Sequence, residues 1–273
     1  MLAATALVAV GMTAGLMVWQ NVDSSPGTSC IPVNAPRGGT SAPAAAAPGG
    51  GGIRVIEKGF TQVVHKGMTV SLGAVLENTS AMAGYRVQLS FRVLGSSGQT
   101  VVPNRSGELL RQEIPVILPG QRIGTGAWTY VQDDAAGRPV TVSRFEVALG
   151  QARFIPQGNR HFAEVTTRGN QLERSDVEPA SGSVRFSIRS GYCGATSPRG
   201  IAMLFRDSHG ALVGGSFDLE NSEPRCQPGV HTELVTAFRS VPDDIDQSRT
   251  TTYPYCDPAP VDVGVKSSDE PVN

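Results

Sequence analysis

From Tyr85 to Leu94 the chain alternates. Val87, Leu89, Phe91 and Val93 are apolar, and Arg86, Gln88, Ser90 and Arg92 between them are polar. A period of two with one apolar face predicts a half-buried β-strand. Phe145, Val147 and Leu149 repeat the pattern. The same reading predicts strands at Ile53–Ile56, Thr69–Leu76, Thr100–Val102, Glu113–Leu118, Ile123–Tyr130 and Thr141–Leu149. Further along it predicts Phe162–Val165, Ser183–Ile188, Ile201–Phe205, Leu212–Val213, Thr232–Phe238 and Thr250–Tyr255. Pro115 interrupts an apolar run and cannot donate to a ladder, so it marks an edge strand or a bulge. Asn170 to Gly182 is polar and reads as a surface loop.

One pattern occurs twice, 112 residues apart. Phe91-Arg92-Val93-Leu94-Gly95 is followed by Gly98 and Val101-Val102; Met203-Leu204-Phe205-Arg206-Asp207 is followed by Gly210 and Leu212-Val213. Each reads as strand, turn and strand, and a Pro-Gly pair comes later in both copies, Pro119-Gly120 and Pro228-Gly229. A repeated β-unit predicts two similar domains in tandem. About seven short strands per ~100 residues favours an all-β fold of two immunoglobulin-like β-sandwich domains. The boundaries fall at 53–153 and 154–257. Val93 and Phe205 then face inward at equivalent positions in separate cores, across a small, polar interface.

The flanks read differently. Leu2 to Trp19 carries no charge and is nearly long enough to cross a bilayer core of roughly 30 Å as a helix. A basic n-region is missing. A retained transmembrane anchor over 1–19 and a cleaved signal segment are the two readings, with Trp19 at the membrane–water level in the first. Residues 20–52 are rich in Gly, Pro and Ala and predict a disordered linker, a stalk for the folded domains. Residues 258–273 read as a disordered tail.

With 23 Lys+Arg against 24 Asp+Glu the net charge is -1, and no basic tract marks a nucleic-acid partner. Charged residues make up 17% of the chain, sparse for a cytosolic domain. Of the cysteines Cys30, Cys193, Cys226 and Cys256, three lie in the second domain, whose core is the thinner. No C-x-x-C occurs, so a disulfide staple in an oxidising compartment is expected. Cys193–Cys226 is the favoured pair and Cys226–Cys256 the alternative, with Cys30 left over on the stalk. A lipoprotein signal would place Leu where Gly27 stands.

Both repeats resemble the FxLYD-type immunoglobulin-like domains of bacterial envelope proteins. The resemblance rests on Met203 to Asp207, where Asp207 matches the family's final Asp, and on Phe91 to Gly95, where Gly95 departs from it. The Asn turn at Glu77-Asn78-Thr79-Ser80 fits the family too, while its counterpart Arg189-Ser190-Gly191 fits less well. The opening Glu57-Lys58-Gly59-Phe60 and the stalk resemble anchored or secreted actinobacterial proteins. The resemblance covers residues 53–256 and implies a sandwich fold without a catalytic role.

Residues that could carry chemistry are few. His65, His161, His209 and His231 are scattered and fit no zincin spacing. His231 and Glu233 share a strand face, as chance pairs on strands do. Asp243-Asp244-Ile245-Asp246 could offer oxygen ligands to calcium, or be a solvated acidic loop. Asp133-Asp134 reads as a turn. Trp128 and Tyr130 share a face, as core residues or as an aromatic patch for sugar or peptide. Asn78-Thr79-Ser80 and Asn104-Arg105-Ser106 fit the glycosylation sequon. No nucleophile elbow, Walker loop or dinucleotide fingerprint occurs. No catalytic residue, metal site or cofactor is implied. The expectation is a non-enzymatic cell-envelope protein, membrane-anchored or secreted, presenting two domains to a protein or cell-wall partner. The alternative is a structural or accessory subunit of a larger surface assembly. An enzyme with an interdomain site would need an acid–base pair at the junction.

Overall fold

The computed structural model describes residues 30–34, 36, 38–64, 68–103, 107, 110–134, 136–156, 161–178, 180–218 and 226–259, with 233–237 as backbone alone. The expected anchor over 1–19 and the end of the tail lie outside the described residues, as do His65 and the Asn104 sequon.

The described chain is all-β. Its strands are β1 (Thr40–Pro43), β2 (Ile53–Val64), β3 (Met68–Asn78), β4 (Met82–Leu94), β5 (Arg111–Ile117), β6 (Arg122–Tyr130), β7 (Arg144–Leu149) and β8 (Gln151–Pro156). They continue with β9 (Val165–Arg174), β10 (Ser181–Ser190), β11 (Ser197–Arg206), β12 (Leu212–Asp218), β13 (Gly229–Arg239) and β14 (Thr251–Asp257). The alternating runs became strands, as their period dictates. The polar stretch from Asn170 did not become a loop throughout. β9 extends to Arg174 and β10 starts at Ser181, because the β10 ladder satisfies the backbone of the polar residues. Val101-Val102 does not form the second strand of its hairpin; Thr100 makes one bridge to Leu94, and the partner strand β5 starts at Arg111. Pro115 lies on β5, an edge strand, as its missing N–H requires.

Four antiparallel sheets form two sandwiches. In the first, β2-β3-β6 faces β1-β8-β4-β5, with β7 also on β4. β7 and β8 pair with successive parts of β4 and act as one strand interrupted at Gly150. In the second, β9-β10-β13 faces β12-β11-β14. The order is the same in both: β9, β10, β11, β12 and β13 take the places of β2, β3, β4, β5 and β6, and β14 that of β7 with β8. The repeated turns match as well. Gly95 N–H donates to Gln99 O and Gly98 N–H to Gly95 O; Asp207 N–H donates to Ala211 O and Gly210 N–H to Asp207 O. Phe91 and Val93 are buried in the first core, and Met203 and Phe205 in the second.

Residues 40–52 are no linker. β1 pairs with β8, Ala44 and Ala47 enter the first core, and Gly49 to Gly52 turn the chain with positive φ. At Gly52 a Cβ would lie 2.4 Å from Ala45 O, so no other residue fits that turn. Composition misled here because backbone hydrogen bonds, with only Ala44 and Ala47 reaching the core, dock this segment.

The two sandwiches do not meet through a small, polar contact. β2-β3-β6 stacks on β12-β11-β14, so the molecule has four layers. The seam is lined by glycine. A Cβ on Gly59 would lie 1.6 Å from Leu212 O, one on Gly73 2.3 Å from Gly214 O, and one on Gly126 2.6 Å from the Ser216 backbone. Backbone meets backbone there, closer than side chains permit. Ala202 and Tyr255 of the second sandwich belong to the first core, and Leu204 and Leu212 pack on Val75. The cores are therefore not separate.

Candidate functional site

The seam collects the polar groups that join the two halves. Thr61 Oγ1 donates to Val213 O at 2.7 Å, and Ser71 Oγ both donates to Gly215 O and accepts from Gly215 N–H. Tyr255 OH donates to Gly124 O at 3.0 Å. Glu57 on β2 takes both arms of the Arg206 guanidinium from β11, at 2.6 and 2.7 Å. The hydrogen bonds from Arg206 hold the Glu57 carboxyl below its usual range.

The densest cluster surrounds Asp257 at the end of β14. The carboxylate is fully buried. Oδ1 accepts from Tyr85 OH at 3.0 Å and from Ala259 N–H at 2.9 Å. Oδ2 accepts from Arg86 and Arg199, each at 3.2 Å. Tyr85 and Arg86 come from the first sandwich, Arg199 and Asp257 from the second. The Tyr85 ring also carries Arg86 and Arg153, at 5.4 and 5.3 Å. Arg86 has φ 52°, opposite Pro115 in the β4–β5 ladder. A left-handed arginine costs about 1–2 kcal/mol, so the surrounding contacts hold it there. Burial pushes the Glu113 carboxyl up, against the pull of Arg86 3.9 Å away. Tyr192 is buried beside this cluster; desolvation, with Asp257 and Tyr85 adding to it against the Ala163 backbone, pushes its hydroxyl up to about 12.

Two disulfides frame this end of the seam; the favoured pair is not one of them, and the alternative, Cys226–Cys256, is. Cys30 joins Cys193 and Cys226 joins Cys256; Cys193–Cys226 does not form. The reason is the path of the N-terminal segment. Ile31 bridges Tyr192 and exchanges backbone hydrogen bonds with Gly191 and Cys193, which brings Cys30 to Cys193. Cys226 is left to Cys256 on β14.

What can this arrangement do? Every described partner of Asp257 is a donor, and the donors come from both halves, so the carboxylate acts as a clamp between them. A cavity of ≈ 30 Å³ lies beside it, lined by Pro115, Val116, Ala163, Tyr192, Tyr255 and Cys256. That is room for a water or two. A wider groove of ≈ 520 Å³ opens nearby, with Gln121, Arg122, Glu164, Asn170, Thr252 and Tyr253 on its walls. Its β14 edge is closed to strand addition: Thr167 Oγ1 caps Thr252 O, and Pro254 has no N–H.

The residues singled out by sequence lie elsewhere. Asp246 caps a short 3-10 helix, Gln247–Arg249, and pairs with Arg249, while Asp243 faces Arg174. Asp134 closes a turn on Ala136 and Arg138, as its residue type suggests. Asn78 is buried, donating to Met82 O and Ile117 O, so its sequon is not presented to solvent. Trp128 lies outside the core clusters, edge-on to Tyr130 and under Arg239. His161, His209 and His231 sit on separate elements, and no cluster of three potential metal ligands forms among the described residues. Asp257, Tyr85, Arg86 and Arg199 escaped the sequence reading. Their spacing of up to 172 residues leaves no local signal, and the one hint was an Asp ending an apolar strand.

Compared with known protein families, curated proteins and solved structures, the chain matches none of them.

Proposed function

We propose that the chain is a non-enzymatic cell-envelope protein, anchored or exported, that presents two tandem immunoglobulin-like domains as one rigid body. The single observation behind this reading is the pair of disulfides, Cys30–Cys193 and Cys226–Cys256, which use all four cysteines. Such bonds persist where thiols are not kept reduced. The uncharged run from Leu2 to Trp19 supports a membrane or a signal at the N-terminal end. The matching strand order of the two halves supports the immunoglobulin-type reading. The clamped Asp257 and the glycine seam suit rigidity better than turnover.

The test is fractionation of cells carrying the tagged full chain, followed by mass mapping without reductant. The reading requires the protein in the envelope or medium with both disulfides formed. Recovery from the cytoplasm with free thiols would overturn it.

A further inference from the structure

One face of the molecule carries arginines that meet no carboxylate among the described residues. β10 turns Val184, Phe186 and Ile188 into the second core, so Arg185, Ser187 and Arg189 point outward. β9 sets Arg168 opposite Ser187, and β13 sets Val230 opposite Arg189. Arg168, Arg185 and Arg189 are exposed, and none pairs with a carboxylate among the described residues. Val230 is 71% exposed beside them. Glu173 shares the face, opposite Ser183 at the far end of β10, while Glu164 lines the seam groove. The outer face of the first sandwich is different. There Arg92 and Arg144 both meet Glu146.

The basic end of this face is where the chain enters the fold. Cys30 is bonded to Cys193, four residues beyond Arg189, and Ile31 bridges Tyr192. Residues 20–29 separate Cys30 from the uncharged run that ends at Trp19. Ten residues reach at most about 35 Å. A bilayer holding that run would thus lie within reach of the arginines.

We propose that the outer face of the β9-β10-β13 sheet rests on an anionic phospholipid surface, with Arg168, Arg185 and Arg189 on the headgroup phosphates and Val230 at the interface. Guanidinium matches phosphate with paired N–H donors, and each basic group near such a surface adds roughly fivefold to partitioning. The contact rests on the anchored form of the reading above, and salt screens it.

The full chain is reconstituted with vesicles of phosphatidylcholine, alone or mixed with phosphatidylglycerol. Labelling of Arg168, Arg185 and Arg189 by phenylglyoxal is then followed by mass spectrometry. On the anionic vesicles labelling slows at least fivefold, and high salt restores it. In R168Q/R185Q/R189Q the chain floats with both vesicles, but hydrogen exchange at Val230 no longer depends on lipid charge. Equal labelling on both vesicles, with flotation intact, overturns the docking and leaves the anchor standing. Failure to float with phosphatidylcholine, with labelling still slowed by phosphatidylglycerol, overturns the anchor and upholds the docking. Protection by a soluble polyanion but not by anionic vesicles assigns the face to an acidic polymer and overturns the lipid contact.

Discussion

Glu57 on β2 and Arg206 on β11, 149 residues apart, hold each other through two hydrogen bonds across the seam. The pair is half-buried, so breaking it leaves a charge with reduced access to water. Glu57→Gln should cost about 1–3 kcal/mol, the range for losing a charged hydrogen-bond partner. The pH dependence has a definite sign. The Arg206 guanidinium holds the folded carboxyl below the usual glutamate range, so its contribution is present above that range and is lost as pH falls through the folded value. Urea melts should therefore separate wild type from Glu57→Gln at neutral pH and bring them together in acid. A gap that widens below pH ~4 would contradict the pairing.

The glycine seam gives a steeper test. Gly59→Ala drives a Cβ into the Leu212 carbonyl, and backbone cannot step aside as a side chain can. The expected loss is about 3 kcal/mol or more. Gly107→Ala meets nothing within 4 Å and serves as the control. Equal melting of the two variants would refute the close approach of the sheets.

Phe205→Ala removes a fully buried ring from the second core and should cost about 3–5 kcal/mol. Because Ala202 and Tyr255 also belong to the first core, the loss should lower one common transition. Calorimetry reads this directly. Two resolved transitions, with the first sandwich unchanged, would mean that the halves fold independently.

Disulfide mapping without reductant should yield linked peptides containing Cys30 with Cys193 and Cys226 with Cys256. Cys256→Ser opens a loop of 30 residues and should cost roughly 3–4 kcal/mol on the chain-entropy account. A Cys193–Cys226 peptide would overturn the arrangement of the N-terminal segment.

Period two in the sequence located β4 and β11 and placed Val93 and Phe205 correctly inward. The 112-residue repeat holds in the first strand and the turn of each copy, but the strand after the turn forms only in the second, as β12. What remained hidden was tertiary. Gly59, Gly73 and Gly126 have no side chain to show a pattern, yet each marks where another backbone approaches. β1 has the sequence Thr-Ser-Ala-Pro, with no face to bury, and is held by the edge of β8. Assigning that region to a stalk removed Cys30 from consideration, and the wrong cysteine pair followed. Asp257 could not be found, since its partners come from β4, β11 and the chain just beyond β14.

The Cys30–Cys193 bond turns residues 30–193 into a covalent ring that contains the whole first sandwich. A single nick inside the ring, for instance in the turn at Gly98, leaves one molecule with no loose piece. On a gel without reductant the nicked protein should run as an intact chain, and with reductant as two fragments. Such a molecule tolerates one cut on its first half without shedding a fragment.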